Sequence, residues 1–243
     1  MYDNLSIVYD KLMDVDYSIY KNIIDERLKL KNNQKILDLG CGSGTLIECL
    51  SKYGKVYAAD NNENMLSLAR NKNSNAEFFL LDLLEITKLE EKFNFIISSF
   101  DVFNYLLDFS EFKKGLIEVY NSLENGGEFI FDIHTPNKIN YMIEQKVFAY
   151  EDFDISYLWF TYETEKSNEV ESEITFFIKQ KNNLYKKIEE FQKQRAYEID
   201  LVFETLKKIG FKINNYFCDF DRKNKNYKNA DRVIFILKKE NNS

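Results

Sequence analysis

The sequence predicts an α/β fold built on a mostly parallel sheet covered by helices on both faces. Three observations predict it. Short, almost wholly apolar runs alternate with helical patterns through the first 140 residues, as they must when each strand is buried on both sides. A turn rich in glycine follows the first of these runs, and a stretch of period-two alternation, 147–196, interrupts the pattern once.

The elements follow in order. Residues 17–30 (YSIYKNIIDERLKL) put Ile19, Ile23, Ile24 and Leu28 on one helical face. KILDL (35–39) is the first strand and runs straight into the glycines. A helical pattern covers Thr45 to Lys52, with Gly54 as its stop signal. VYAAD (56–60) is a second strand, and NNENMLSLARNK (61–72) a second helix with Asn61 or Asn62 as N-cap. AEFFLLD (76–82), FNFIISSF (93–100) and GGEFIFDIH (126–134) are the third to fifth strands. A helix over 110–123 separates the last two, and Asn125-Gly126-Gly127 marks a turn into the fifth.

After Pro136, the only proline, the texture changes. ISYLWFTYETE and EITFFIKQ alternate in period two and break at SNE and KNN, which reads as an antiparallel meander inserted into the α/β unit. Helical periodicity returns at EIDLVFETLKKIGF (198–211) with Gly210 as C-cap. FKINNYFCDF (211–220) and RVIFILKK (232–239) then form a hairpin that closes one sheet edge. The organisation expected is one unit of 1–146 and 197–243, whose residues 1–30 are N-terminal helices or a lid, with 147–196 as the insertion.

Composition narrows the function classes. The 243-residue chain is 44% hydrophobic and 16% aromatic, enough for a sizeable core. Its formal charge of -7 and lack of a long Lys/Arg block disfavour nucleic acid as a partner. Cys41, Cys49, Cys218 and the single His134 offer no metal-ligand spacing, so no metal is expected and the thiols read as reduced. The N-terminus has early acids and no apolar core of a signal peptide, and no run nears the roughly 18 apolar residues of a membrane span. A soluble, cytoplasmic protein, monomeric or homodimeric, is expected.

The chemistry lies in ILDLGCGSGTL (36–46). A strand ending in a glycine turn that feeds a helix lets a nucleotide-like ligand approach the backbone, because a Cβ there would collide with it or demand strained dihedrals. The spacing Gly40-Cys41-Gly42-Ser43-Gly44 is GxGxG, one residue short of the dinucleotide fingerprint GxGxxG, with Asp38 two residues ahead. Asp60 ends the second strand, where a carboxylate can accept both ribose hydroxyls. Asp82 ends the third, where it can accept the exocyclic amine of adenine between Leu81 and Leu83. Each acid has a plainer reading as a helix cap or a solvated charge. An NAD-linked enzyme is the competing assignment, disfavoured by the early third glycine and by Asp82.

ILDLGCGSGTL, VYAADNNENML, FFLLDLLE and FNFIISSFDVFNYL, in that order and spacing, resemble the motifs of class I S-adenosylmethionine-dependent methyltransferases. The insertion, with QRAY (194–197) leading into a helix ending IGF, is similar to bacterial small methyltransferases of unassigned substrate and to sugar-amine and glycine N-methyltransferases. The resemblance implies a Rossmann-like, mostly parallel seven-stranded sheet with an antiparallel last strand, and an inserted antiparallel sheet over the substrate pocket. It implies S-adenosylmethionine as cofactor, with S-adenosylhomocysteine as product, held by Asp38, Gly40, Cys41, Gly42, Gly44, Asp60, Asn61, Met65, Asp82, Leu83 and Ser98.

Tyr9 and Tyr20, in an N-terminal lid, join this set by resemblance, and tyrosine faces can stabilise a sulfonium. The plainer reading is aromatic helix packing. His134 follows the fifth strand and is the candidate general base, with Tyr9 as a second catalytic candidate; a lone histidine is more often structural. Asp101, Asn104 and Tyr105 either orient substrate or cap a helix. SSFD after the fourth strand differs from the NPPY or DPPY of enzymes that methylate adenine or glutamine, and no Pro-Cys pair serves cytosine. A small molecule accepting methyl on N or O by in-line displacement is therefore expected. The alternatives are a protein or RNA acceptor, or a silent module that only binds the cofactor.

Overall fold

The computed structural model describes residues 17–240. Helix α1 (Ser18–Leu28) buries Tyr20, Ile23, Ile24 and Leu28, so the apolar face expected from the sequence is the packed one, with Tyr20 at its centre and Ile19 at its margin. Strand β1 (Gln34–Leu39) leads through the glycine turn into a single helical turn, α2 (Ile47–Leu50), shorter than its pattern predicts. Then follow β2 (Gly54–Asp60), α3 (Glu63–Lys72) and β3 (Ala76–Leu80). Asn62 is the N-cap of α3, its side chain accepting the amides of Asn64 and Met65. A 3-10 segment, Leu83–Leu89, precedes β4 (Phe93–Ser98), and a second, Val102–Tyr105, precedes α4 (Phe109–Ser122).

Strand β5 (Leu123–His134) starts three residues before the predicted strand. The Asn125-Gly126-Gly127 stretch is a register shift inside the strand: Phe93 and Phe95 of β4 pair with Leu123 and Glu128 of β5. Gly126 supplies the positive φ of 78° that the irregularity requires. Helix α5 (Pro136–Gln145) had not been anticipated, although Thr135-Pro136 is a start signal. Thr135 caps the helix and Pro136 occupies its first turn.

The main sheet has seven strands in the order β10-β11-β5-β4-β1-β2-β3. Its last strand, β11 (Arg232–Lys239), runs antiparallel to β5 and to the edge strand β10 (Phe211–Cys218). β1 to β5 pair in parallel. Alternate residues enter opposite cores. Ile36, Val56, Ala58, Phe95 and Ile97 pack with α1 and α2 on one face, whereas Leu37, Tyr57, Ala59, Ile96 and Phe129 pack with α4 and α6 (Ile199–Ile209) on the other. Burial on both faces explains why these strands read as unbroken apolar runs. Gly210 ends α6 in the left-handed conformation, as the sequence predicts.

The insertion is a four-stranded antiparallel sheet in sequential order, β6 (Val147–Glu151), β7 (Ile155–Glu163), β8 (Glu169–Lys179) and β9 (Tyr185–Arg195). Strand β9 is tied to the segment after β4. The Tyr105 hydroxyl donates to Gln192 Oε1 at 2.6 Å, Gln194 Nε2 to Asp101 Oδ2 at 2.6 Å, and Arg195 Nη1 to the Leu107 carbonyl at 2.9 Å. Among the described residues no helix is long and apolar enough to cross a membrane.

Candidate active site

Because β1 to β5 are parallel, the turns after them gather at one end of the sheet. A cavity of about 600 Å³ opens there. The glycine turn forms its floor. Gly40 has a φ of +72°, and a Cβ on it would come within 2.6 Å of Val102 Cγ2. Gly42 has a φ of +52°, but a Cβ there would meet no atom of the described residues within 4 Å. Gly40 is thus demanded by close packing, and Gly42 keeps backbone exposed to the cavity.

Asp38 is 1% exposed, and its Oδ2 has no hydrogen-bond partner among the described residues. Burial, with the charge of Asp60 adding, pushes its carboxyl up to about 7. An orphaned carboxylate oxygen on a cavity wall is costly unless a ligand donor reaches it. Asp60 accepts the Gly42 amide on Oδ2 at 2.8 Å and the Asn62 amide on Oδ1 at 2.9 Å. Burial raises its carboxyl, and these amides oppose the rise. Asp82 accepts the Leu84 amide at 2.8 Å and so caps the 3-10 segment, while its side chain also lines the cavity. Both residues thus hold local backbone amides and also line the cavity.

Asp38, Gly40, Cys41, Gly42, Asp60, Asn61, Met65, Asp82 and Leu83 all line this one cavity, as do Asp101 and Tyr105. Five expected residues among those described do not: Gly44, Ser98, Tyr20, His134 and Asn104. Gly44 (φ +79°) faces the protein interior, where a Cβ would lie 2.7 Å from Asn73 and 2.9 Å from Ile47. Ser98 is 1% exposed inside β4, and the wall begins one residue later, at Ser99. Tyr20 is fully buried and donates its hydroxyl to Asp132 Oδ1 at 2.6 Å, while Tyr17, one helical turn earlier, lines the cavity. Tyr9 lies outside the described residues.

His134 is the fourth, and its ring is engaged away from the cavity. Its Nε2 lies 2.7 Å from Arg232 Nη2. A guanidinium only donates, so Nε2 accepts and the ring proton sits on Nδ1, which is buried without a partner. Burial lowers the imidazole below its ordinary value, against the pull of Asp101. The ring thus sits outside the cavity wall, its Nε2 held between Arg232 and, at 3.5 Å, Asp101 Oδ1.

The sequence reading missed the centre that holds these groups. Arg232, entering β11, contacts Asp132 through Nη1 and Asp101 Oδ1 through Nη2 at 2.7 Å. Burial works to raise the Asp101 carboxyl, but His134 and Arg232 beside it more than reverse this and hold it at about 2. Asp132 also accepts the amides of Phe100 (2.6 Å) and Asp101 (3.0 Å). Those two residues adopt φ values of 65° and 55°, a left-handed turn that each pays for by about 1 kcal/mol or more. Asn104, expected near substrate, is buried instead: it accepts the His134 amide at 2.9 Å and donates to the Arg195 carbonyl at 2.9 Å. Only FDVFN hinted at this centre, since Asp132 and Arg232 are distant in the chain.

Fold and site define a class first: an α/β protein that presents a glycine turn and successive strand-end carboxylates to an adenosine-type cofactor. Comparison with known proteins narrows it. A family model described as a methyltransferase domain matches residues 36–127. A candidate methyltransferase of Geobacillus sp. (strain WCH70) is 32% identical, with 98% of this chain and 99% of that one aligned. The crystal structure of an S-adenosylmethionine-dependent methyltransferase from Clostridium acetobutylicum ATCC 824 superposes with a TM-score of 0.88 at 29% identity, covering 98% of this chain and 99% of that one. The sugar N-methyltransferase KedS8 from Streptoalloteichus sp ATCC 53650 shares the fold at 13% identity, with a TM-score of 0.72 and coverage of 99% and 93%. The chain belongs to the S-adenosylmethionine-dependent methyltransferase family.

Proposed function

We propose that this methyltransferase acts on a small-molecule acceptor, at nitrogen or oxygen, with the inserted sheet 147–196 as one wall of the acceptor space. The observation that carries the reading is the make-up of the cavity. Its volume of about 600 Å³ is that of a small-molecule site, and β9 supplies part of its wall through Glu190, Phe191 and Gln192. A sheet drawn over the strand ends restricts the size of what enters. The overall charge of -7 argues in the same direction, against an RNA acceptor.

The residues present fit the cofactor. The orphaned Oδ2 of Asp38 would take the ammonium of its methionine end. Asp60 keeps lone pairs for the ribose hydroxyls beside the amides it already accepts, and Asp82 would meet the adenine amine between Leu81 and Leu83. The exposed Gly42 backbone lets the ligand lie close. When bound, S-adenosylmethionine supplies an electrophilic methyl group on its sulfonium. The protein's part is to orient the acceptor and exclude water, which can contribute several kcal/mol to the barrier.

The test uses S-adenosylmethionine labelled in its methyl group and an extract of cells that express the protein, separated by size after reaction. Label in the low-mass fraction supports the proposal. Label that enters protein or RNA overturns it.

A further inference from the structure

We propose that the acceptor is a cationic amine and that Glu190, on the inserted strand β9, is the residue that selects it. The proposal rests on the small-molecule reading above and names the chemistry of that acceptor.

The placement of Glu190 follows from strand geometry. Side chains two apart on a strand share a face, about 7 Å from one another. On β9 one such row is Ile188, Glu190, Gln192 and Gln194. Gln192 and Gln194 of this row bond Tyr105 and Asp101, so the row faces the strand ends of the main sheet. Glu190 is the next member along and lines the cavity half-buried. Strand order puts it at the acceptor end. Asp38, Asp60 and Asp82 lie at or just past the carboxyl ends of β1, β2 and β3 on one side, whereas β9 is bonded to the segment that follows β4 on the other.

The charges then single it out. Six carboxylates line the cavity, and among the described residues no Lys, Arg or His does. Three of the six, Asp38, Asp60 and Asp82, are taken by the cofactor reading. Asp101 is neutralised by Arg232 at 2.7 Å. Glu111 is exposed in the first turn of α4, where water and the helix N-terminus both favour it. Of the six, Glu190 alone remains, half-buried and with neither a cation nor a hydrogen-bond donor from the described residues. Burial raises its carboxyl with nothing opposing it. A carboxylate in that state costs free energy until a cation arrives, and a bound ammonium is such a cation. An alcohol would leave the charge unpaired, so the same group that attracts an amine disfavours its hydroxyl analogue.

Glu190 has a second use in the reaction. An ammonium has no lone pair and must shed a proton before it can attack. The Glu190 carboxylate takes that proton and passes it to solvent. The freed nitrogen pair forms the bond to the methyl carbon, and the carbon–sulfur pair returns to sulfur, leaving the thioether product and an N-methylammonium.

The experiment measures binding, so it needs no knowledge of the natural acceptor. The complex with S-adenosylhomocysteine is titrated calorimetrically at pH 7.5 with three matched probe pairs: cyclohexylamine and cyclohexanol, 2-phenylethylamine and 2-phenylethanol, glucosamine and glucose. The expected result is at least one amine bound about tenfold more tightly than its alcohol, a preference that Glu190→Gln abolishes while S-adenosylhomocysteine still binds as in the wild type. Equal binding of amine and alcohol in every pair, no amine binding up to about 50 mM, or a preference that survives Glu190→Gln each overturns the proposal. The labelled extract separates this failure from that of the parent reading. A low-mass labelled product that passes a cation exchanger as a neutral compound sinks the amine alone. Label in macromolecules sinks both.

Discussion

Asp38→Asn should reverse the sign of its stability effect with pH. The wild-type carboxyl is buried, has an oxygen without a partner, and is pushed from an ordinary 3.8 to about 7. The folded protein therefore holds this proton more tightly than the unfolded chain does, and stability falls as pH rises from about 4 through 7. A gap of about three pH units at about 1.4 kcal/mol each gives a cost near 4 kcal/mol once the group is ionised. Asparagine has no charge to desolvate, but its buried amide lacks a partner, at a cost of about 1–3 kcal/mol. The variant should then be more stable than wild type by about 1–3 kcal/mol at pH 8, and less stable by a similar amount near pH 4.

Urea unfolding of both proteins across this range measures the difference, in which other titrating groups cancel. Cofactor binding should move the opposite way. S-adenosylhomocysteine should bind wild type more weakly as pH falls below 7, because protonation removes the partner of its ammonium. It should bind the variant about tenfold or more weakly at pH 8, the loss of one charge-assisted hydrogen bond. A stability difference independent of pH would refute the burial argument. Equal affinity for S-adenosylhomocysteine would refute the assignment of Asp38 to the methionine end.

Three further outcomes follow from the same geometry. Gly40→Ala should lower unfolding stability by about 2–4 kcal/mol, from left-handed strain plus overlap with Val102, whereas Gly42→Ala should cost only about 1 kcal/mol but weaken S-adenosylhomocysteine binding in calorimetry. Arg232→Met leaves Asp132 and Asp101 without their cation and should cost about 3–5 kcal/mol in urea unfolding at pH 7, a loss that shrinks in acid as the carboxylates protonate. His134→Gln should retain methyl transfer to the labelled low-mass acceptor with an unchanged pH–rate profile; a lost acidic limb would restore the histidine as a base.

Local chemistry made much of this protein legible in its residue order. Apolar runs such as ILDL and VYAAD announce strands buried on both faces, and Gly210 announces a helix end. Asp38, Gly40, Gly42, Asp60 and Asp82 could be read because each sits at a strand end, where parallel pairing delivers it to one cavity whatever the rest of the chain does. Their signal is contained within about ten residues on either side. Helix α5 was legible too, in Thr135-Pro136, and was overlooked beside the change of texture that follows it.

What tertiary structure decided concerns residues that meet only after folding. Arg232 reaches Asp132 and Asp101 across 100 and 131 residues, and that meeting takes the lone pair of His134 and hides the ring from the cavity. One helical turn separates Tyr17, on the wall, from Tyr20, sealed against Asp132. Glu190 looks like any acid on an amphipathic strand until β9 is bonded across the segment after β4. The sequence by itself determined the sheet, the glycine turn and the carboxylates gathered at the strand ends, because those depend on local geometry and strand order. Long-range pairing of charges decided which other groups line the cavity and which are sealed from it, since a side chain's partner, exposure and protonation depend on the neighbours that folding brings to it.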